Sequence, residues 1–378
     1  MSDDESVANP PIKLVNKPND TAINQQRMKS WNPILDPVWV ICTYIILGII
    51  FIPVGLKINS IADGVSELSQ KYDSHDDTTL DCHIGDNTNT NKTCTVSFVT
   101  KDDMEPPILV YYEIKNFYQN HRKYITSRDD KQLFGYVGDR TKQSKDLCSP
   151  LDQLGNISIS PCGLIANTLF NDVIKLVGGK DNKGQDLILV EKGIAWQSDI
   201  DYKFKQPDTF RRESCDCADC PCDPPKWSCT NSTPFKDDYG KCWKYFYPNK
   251  AHTQYLYETY PMVVNPIEGV MNEHFIVWMN AAAVTPFRKL YGYIEEPVAK
   301  GETLAFQIQA NWEVKSFKGS KTLIVSTTEI FGGKNKALGQ VFIVCGGFLL
   351  SLGFLFGVKH FVWPRKVGSK KYLRFKEE

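Results

Sequence analysis

The stretch PVWVICTYIILGIIFIPVGLKI, residues 37 to 58, contains no charged side chain before Lys57. A second stretch, ALGQVFIVCGGFLLSLGFLFGVKHFVW at residues 337 to 363, contains none before Lys359. Each supplies about the 20 apolar residues that a helix needs to cross a bilayer core. A helix buried in a soluble core would show a polar face at helical spacing, and neither stretch shows one. The pair therefore predicts two transmembrane helices, at residues 37 to 58 and 337 to 358.

The first span begins with two helix-start signals. Asp36 stands at the N-cap position, and Pro37 occupies the first helical position, where its missing N–H is harmless. The mostly polar residues 1 to 36 show no charged-then-apolar secretory leader. The first span is therefore expected to act as an uncleaved signal anchor.

The charges that flank the spans predict the orientation of the chain. The tail at residues 359 to 378 carries seven lysines and arginines, and Arg27 and Lys29 precede the first span. Positively charged flanks stay on the cytosolic side of a membrane. Residues 1 to 36 and 359 to 378 are therefore predicted to be cytosolic tails, and residues 59 to 336 an exoplasmic ectodomain.

Composition and motifs predict a protein without catalytic chemistry. Lysine plus arginine balances aspartate plus glutamate, 44 against 44, so no net positive charge favours nucleic acid as a partner. The sequence has no His-Glu-x-x-His pair and no Gly-x-Ser-x-Gly elbow. Its two glycine- and lysine-containing loops, GGKDNKG from residue 178 and GGKNKALG from residue 332, lack the spacing of a phosphate-binding loop. We expect no catalytic residue, no metal site and no cofactor.

The cysteines indicate a disulfide-stapled ectodomain. Cys42 and Cys345 lie inside the spans and are interpreted as small apolar fillers. An even number of cysteines in an oxidising compartment predicts disulfides, up to five here. The ten exoplasmic cysteines are Cys82, Cys94, Cys148, Cys162, Cys215, Cys217, Cys220, Cys222, Cys229 and Cys242.

The dense cluster RRESCDCADCPCDPP, residues 211 to 225, allows two interpretations. A zinc site is disfavoured, because zinc sites prefer Cys-x2-Cys spacing with histidine, and the nearest histidine is His252. Disulfides are favoured. Cysteines one residue apart pair poorly with each other, so each is expected to bond to Cys229, Cys242 or a more distant cysteine.

Three sequons in the ectodomain predict N-glycosylation, at Asn91, Asn156 and Asn231. A fourth sequon, at Asn19, lies in the tail that is predicted to be cytosolic and is not expected to be used.

Strand patterns dominate the C-terminal half of the ectodomain. Apolar residues alternate through TLAFQIQANWEV from residue 303, and a turn at residues 318 to 320 followed by a second strand predicts a hairpin. Further strands are expected at residues 93 to 100 and 108 to 114. Helical patterns occur at residues 116 to 127 and 273 to 290, and Pro286 is expected to end or kink the second. Residues 140 to 260 are expected to form long loops held by cysteines.

Glycines recur along one stripe of each span. Seven residues make nearly two helical turns, so these glycines share one face, and such a stripe lets another helix approach closely. The two spans can pack on each other, or a stripe can dock onto a separate membrane protein, and we favour the second interpretation. Apart from Lys57 near the end of the first span, neither span contains a charged side chain, which disfavours an ion path within this chain. The glycines are Gly339, Gly346, Gly353 and Gly357 in the second span and Gly48 and Gly55 in the first.

Several blocks of the chain strongly resemble one eukaryotic family. These blocks are NQQRMKSWNPILDP (24 to 37), FYQNHRKYITSRDDKQL (117 to 133), PCGLIANTLFND (161 to 172), KGIAWQSD (192 to 199) and FIVWMNAAAVTPFRKLYGYI (275 to 294). The chain is identified as a member of the accessory subunits of type-IV P-type ATPases, the phospholipid flippases, also called the cell-division-control-fifty or ligand-effect-modulator family. The resemblance implies two transmembrane α-helices and a mainly β ectodomain, an antiparallel β-sandwich with long disulfide-stapled loops.

The resemblance also implies particular disulfides. The two characteristic pairs of the family fall on Cys82–Cys94 and Cys148–Cys162. The six cysteines from residue 215 to residue 242 depart from the family pattern, so their pairing stays open. Many relatives have a sequon at the position of Asn171, and this chain does not.

The function implied by the resemblance is that of a non-catalytic subunit. Its partner would be a type-IV P-type ATPase α-subunit, bound as a heterodimer, which moves phospholipids from the exoplasmic to the cytosolic leaflet. The accessory subunit would support folding, exit from the endoplasmic reticulum and the phosphorylation cycle of its partner, and would act on membrane phospholipids only indirectly. The complex would reside in the endoplasmic reticulum, Golgi, endosomes or plasma membrane. The alternatives are a two-span ligand-gated channel subunit with a disulfide-rich ectodomain and a surface adhesion or receptor module, although no signalling tail supports the latter.

Overall fold

The computed structural model describes residues 19–29, 36–85, 92–136, 146–218, 220, 234–237, 239–329 and 332–364. These residues fall into two compact units. One unit lies within Met1–Leu56 and Gly339–Glu378, and the other lies within Lys57–Leu338.

Two long helices, one near each end of the chain, frame a series of short helices and strands. The helices are α1 Pro37–Asp63, α2 Arg122–Thr126, α3 Asp130–Leu133, α4 Gln197–Tyr202, α5 Leu256–Thr259, α6 Glu273–Met279 and α7 Ala337–Val362. The strands are β1 Glu67–Ser74, β2 Lys92–Val99, β3 Ile108–Lys115, β4 Gln153–Leu154, β5 Ile157–Ser160, β6 Val173–Gly178, β7 Arg211–Cys215, β8 Phe235–Lys236, β9 Cys242–Phe246, β10 Thr253–Tyr255, β11 Phe287–Ile294, β12 Thr303–Ala310 and β13 Ser320–Ser326.

Helices α1 and α7 confirm the two predicted membrane helices. Both are long and apolar enough to cross a bilayer, and only 17% and 11% of their most apolar windows are buried. A helix of similar composition in a soluble core would be mostly buried, so these helices expose their apolar side chains as a lipid-facing segment does. Helix α1 continues for five residues beyond residue 58, and α7 ends four residues beyond residue 358.

The ectodomain is mainly β, as predicted. One antiparallel sheet has the order β1-β13-β3-β11, and a second has the order β2-β12-β6. Alternate residues of β3 and β12 are buried, and their side chains join one continuous hydrophobic core. Two small sheets complete the unit: β7-β9-β8, which carries the dense cysteine cluster, and β10-β5-β4, in which β10 and β5 are parallel. Strands β2, β3 and β12 confirm the corresponding predictions.

The predicted hairpin between β12 and β13 is wrong. Strand β12 pairs with β2 and β6, whereas β13 pairs with β1 and β3. The Asp172 carboxylate accepts hydrogen bonds from the backbone N–H groups of Asn311 and Trp312, at 2.6 and 2.7 Å. These N–H groups are thereby withdrawn from strand pairing, so β12 ends at Ala310 and the chain crosses to the other sheet.

The predicted helix at residues 273 to 290 is also too long. Helix α6 ends at Met279, because the backbone of Asn280 turns to an extended conformation with a ψ of 90°, and Phe287 begins strand β11 directly after Pro286. The predicted helix at residues 116 to 127 is reduced to α2, which begins only at Arg122. Upstream of α2, the backbone of Asn116 adopts a positive φ of 70°, which a helix does not accommodate.

Candidate functional site: the helix pair and the ectodomain framework

The glycines of α1 and α7 lie in the contact between these two helices. A Cβ atom at Gly55 would lie 2.6 Å from the carbonyl oxygen of Gly339. A Cβ atom at Gly346 would lie 2.8 Å from the Cγ1 atom of Ile52. Any larger residue would push the two backbones apart, so glycine is what permits this close approach. The same contact buries Gly48 and Gly353.

The preferred interpretation of the stripe, docking onto a separate membrane protein, is therefore corrected. Five of the six glycines are buried by packing within the chain, and a Cβ atom at the sixth, Gly357, would meet no atom within 4 Å. The faces of α1 and α7 that remain uncovered are instead lined by large apolar side chains. These include Ile46, Ile49, Ile50, Val344, Phe348, Phe354 and Leu355.

Two disulfides secure the ectodomain. Cys82 pairs with Cys94, with their Cα atoms 5.4 Å apart, and Cys148 pairs with Cys162, with their Cα atoms 5.6 Å apart. These are the pairs that the resemblance implied. The second bridge forms a small core of its own with Ile159, separate from the main core. Cross-links of this kind stabilise long loops that bury little apolar surface.

The cysteine cluster forms one disulfide within itself and one with the first residue of β9. Cys217 bonds to Cys242, and Cys215 bonds to Cys220. The expectation that each of these cysteines bonds to Cys229, Cys242 or a more distant cysteine is therefore met by Cys217 and is wrong for Cys215 and Cys220. Five residues of separation bring the Cα atoms of Cys215 and Cys220 to 5.3 Å, a normal distance for a disulfide. Cys222 and Cys229 lie outside the described residues.

A buried charge cluster joins the two sheets of the ectodomain. The Lys321 ammonium of β13 lies 2.6 Å from the Asp172 carboxylate and 3.3 Å from the Asp73 carboxylate of β1. All three side chains are fully buried. Lys321 also donates to the carbonyl oxygen of Trp312, at 2.6 Å. Burial, reinforced by the neighbouring Asp172 carboxylate, raises the pKa of Tyr72, whose hydroxyl donates to that carboxylate at 2.9 Å.

The charge cluster also reaches the first disulfide. The Nδ1 atom of His83, the residue after Cys82, lies 3.2 Å from the Asp73 carboxylate. Sequence reasoning missed these residues. The available signal was Lys321 itself, a charged side chain at the start of an apolar strand, although nothing in the sequence indicates that its partners are Asp73 and Asp172.

A second buried lysine, Lys289 of β11, binds carbonyl groups at the C-terminal end of α6. The Lys289 ammonium donates to the carbonyl oxygens of Val277 and Trp278, at 2.9 and 3.1 Å, and to that of Asn280. These are carbonyl groups that the end of a helix leaves without intrahelical partners. Burial lowers the pKa of Lys289 to about 7. The lysine therefore connects β11 to the last turn of the helix that precedes it.

The described sequon lies at an accessible turn. Asn156 is exposed in the turn between β4 and β5. Asn91 and Asn231 lie outside the described residues.

Comparisons with known proteins find relatives that match most of this chain. The sequence profile of a family described as "LEM3 (ligand-effect modulator 3) family / CDC50 family" matches residues 58–366. The chain is 36% identical to cell cycle control protein 50A of Mus musculus over 351 residues, which cover 90% of this chain and 87% of that protein. It is 33% identical to ALA-interacting subunit 3 of Arabidopsis thaliana, over 94% of this chain and 90% of that protein.

A yeast relative carries the most explicit name. The Saccharomyces cerevisiae protein named phospholipid-transporting ATPase accessory subunit CRF1 is 29% identical over 388 residues, which cover 95% of this chain and 89% of that protein. The similarity therefore extends over both membrane helices and the whole ectodomain.

Proposed function

Since the chain belongs to the LEM3 (ligand-effect modulator 3) / CDC50 family, we propose that it is the accessory subunit of a phospholipid-transporting ATPase. The observation that carries this proposal is the end-to-end similarity to a protein named as such a subunit, over 95% of this chain. The accessory subunit itself is non-catalytic, and its partner performs ATP hydrolysis and lipid movement. The partner is a type-IV P-type ATPase, bound as a heterodimer.

The architecture suits a subunit that acts by binding. Because α1 and α7 pack closely through their glycines, they present a preformed pair of apolar faces to a partner in the membrane. Disulfides and the Lys321 cluster hold the ectodomain in one arrangement. A protein that binds only the folded form of its partner stabilises that form by mass action. This stabilisation is the physical basis for supporting the exit of the ATPase from the endoplasmic reticulum and its phosphorylation cycle.

The chain is an integral membrane protein of this family. We place both tails in the cytosol and residues 59 to 336 on the exoplasmic side, on the strength of the basic C-terminal tail. The complex would travel from the endoplasmic reticulum to the Golgi, endosomes or plasma membrane. The sequons at Asn91, Asn156 and Asn231 would carry glycans in that orientation. The comparisons do not support the channel-subunit alternative.

The proposal is tested by purifying the tagged full-length chain in a mild detergent and identifying co-purifying proteins by mass spectrometry. A P-type ATPase in about equal amount supports the proposal and identifies the partner. Uptake of fluorescent phospholipids by cells that lack this chain then shows which lipid is moved. Recovery of the chain as a homo-oligomer without an ATPase would contradict the proposal.

A further inference from the structure

A groove of about 580 Å³ lies on the ectodomain beside the cysteine-rich sheet. One wall is the segment at residues 188 to 192, which runs next to β11. The opposite wall includes Trp243 of β9 and Asp237 in the turn that connects β8 to β9, and residues of the segment from 263 to 274 complete the groove. We call this feature the lateral groove. None of the functions described above requires it.

Negative charge predominates along the lateral groove. Four carboxylates line it, from Glu191, Asp237, Glu268 and Glu273, against the two permanent cations of Lys192 and Arg212. The Asp237 carboxylate accepts a hydrogen bond from the Trp243 indole at 2.8 Å, and this bond lowers the pKa of Asp237.

The ring of His274, which also lines the lateral groove, lies 2.9 Å from the Glu191 carboxylate. The four carboxylates of the lining outnumber its two permanent cations by two. A positively charged ligand is therefore favoured.

The wall at residues 188 to 192 offers a free backbone edge. Val190 exchanges both of its backbone hydrogen bonds with Tyr293 of β11, at 2.8 and 3.0 Å. In antiparallel pairing the next residues on either side, Leu189 and Glu191, direct their N–H and C=O groups away from the partner strand. Among the residues that the structure describes, these groups of Leu189 and Glu191 have no hydrogen-bond partner. Such an edge accepts one more strand.

The lateral groove also exposes large apolar side chains. Ile188 on the strand-like wall is 64% exposed, and Tyr239 in the turn of the opposite wall is 96% exposed. Tyrosine is enriched among the residues that contribute most to binding in protein interfaces. The lateral groove therefore combines a backbone edge, apolar anchors and negative charge.

We propose that the lateral groove binds an extended, positively charged polypeptide segment of another protein, which pairs with the backbone edge at Leu189 and Glu191. Lysine or arginine side chains of the segment would face the carboxylates of the groove. Its alternate apolar side chains would contact Ile188 and Tyr239. This proposal does not rest on the ATPase assignment, because it depends only on the chemistry of this surface.

The test uses the purified full-length chain in detergent and a fluorescein-labelled peptide of seven residues that alternates lysine with valine and threonine. Binding is followed by fluorescence anisotropy. A matched peptide carries glutamate in place of every lysine, and a third retains the lysines but carries N-methyl groups on alternate amides. The first peptide is expected to bind about tenfold more tightly than either of the others, because charge and backbone pairing both contribute. Its affinity should fall as salt is raised.

Two variants locate the binding site. Glu191→Gln keeps a hydrogen-bond acceptor for His274 but removes one charge, and should weaken the lysine peptide about two- to fivefold. Glu295→Gln removes an exposed carboxylate outside the lateral groove and should leave the affinity unchanged. Equal binding of the lysine and glutamate peptides, indifference to N-methylation, or absence of binding would each overturn the proposal. So would equal effects of the two variants.

Discussion

Replacing Lys321 with methionine removes the ammonium that bridges the two sheets. Methionine fills a similar volume, so the substitution changes charge and hydrogen bonding more than packing. The carboxylates of Asp73 and Asp172 would then remain buried without their cation, 3.3 and 2.6 Å from where it stood. Removing one partner of a buried ion pair typically costs about 3–5 kcal/mol. This is a large part of the roughly 5–15 kcal/mol by which a folded domain is stable.

The assay is thermal unfolding of the purified full-length chain in detergent, followed by tryptophan fluorescence. For a domain of 150–250 residues each kcal/mol shifts the midpoint by about 2–4 °C, so Lys321→Met should lower it by about 6–20 °C. Lys175→Met is the matched control. Lys175 lies on the exposed face of β6, and its substitution should change the midpoint by less than about 2 °C.

A double variant separates charge from packing. In Lys321→Met/Asp172→Asn, the new amide oxygen can still accept from the N–H groups of Asn311 and Trp312, but one buried negative charge is gone. The double variant should therefore lose less stability than the sum of the single variants, by about 0.5–3 kcal/mol. Additive losses, or a Lys321→Met midpoint within about 2 °C of the wild type, would refute the role of this charge cluster.

Three further outcomes are expected. Gly353→Leu should destabilise the helix pair by about 1–3 kcal/mol, because a Cβ atom at this position would lie 2.9 Å from the Cγ1 atom of Ile45. Gly357→Leu is the control and should be tolerated, because a Cβ atom there meets no neighbour. Thermal unfolding in detergent compares the two variants, and equal losses of stability would contradict the packing of the two helices through Gly353. Lys289 has a pKa of about 7 in the folded protein and of about 10.4 in the unfolded chain. Between these two values the unfolded chain binds one more proton at this site than the folded protein does. The free energy of unfolding should therefore rise between pH 7 and pH 9, by about 1.4 kcal/mol per pH unit. Lys289→Met should remove that rise, and an unchanged pH slope on denaturant unfolding would show that the buried lysine stays charged. Asn156→Gln should remove one glycan, seen as a smaller mobility shift on endoglycosidase treatment, and an unchanged shift would show that the sequon is unused.

The membrane helices and several strands could be predicted because their signals are local. An uncharged stretch of about 20 residues or an alternation of buried and exposed residues is complete within its own segment. For the glycine stripe, the sequence left two possible partners, the other span of this chain or a helix of a separate membrane protein. A face lined with glycines indicates that another helix packs closely against it, but it does not indicate which helix that is.

The sequence-based predictions failed where contacts between residues far apart in the chain determine the structure. Strand β12 ends where it does because Asp172, 139 residues earlier in the chain, accepts the N–H group of Asn311. The partners of Lys321 and the pairing of Cys215 with Cys220 likewise depend on positions that periodicity does not encode. Pro286 was recognised as a breaker, yet strand β11, which begins directly after it at Phe287, was not predicted.

The pairing of β1 with β13 has a consequence for the order of events during synthesis. Glu67 faces Ser326 across this ladder, so the first strand of the ectodomain finds its partner only when the last strand has been made. At translation rates of about 5–20 residues per second, the intervening chain takes about 13–52 s to emerge. Strand β1 lies at the edge of its sheet with β13 as its neighbour, so its hydrogen-bonding groups wait unpaired for that interval. Until translation reaches β13, strand β1 of the nascent chain can therefore pair with a wrong strand or bind a chaperone.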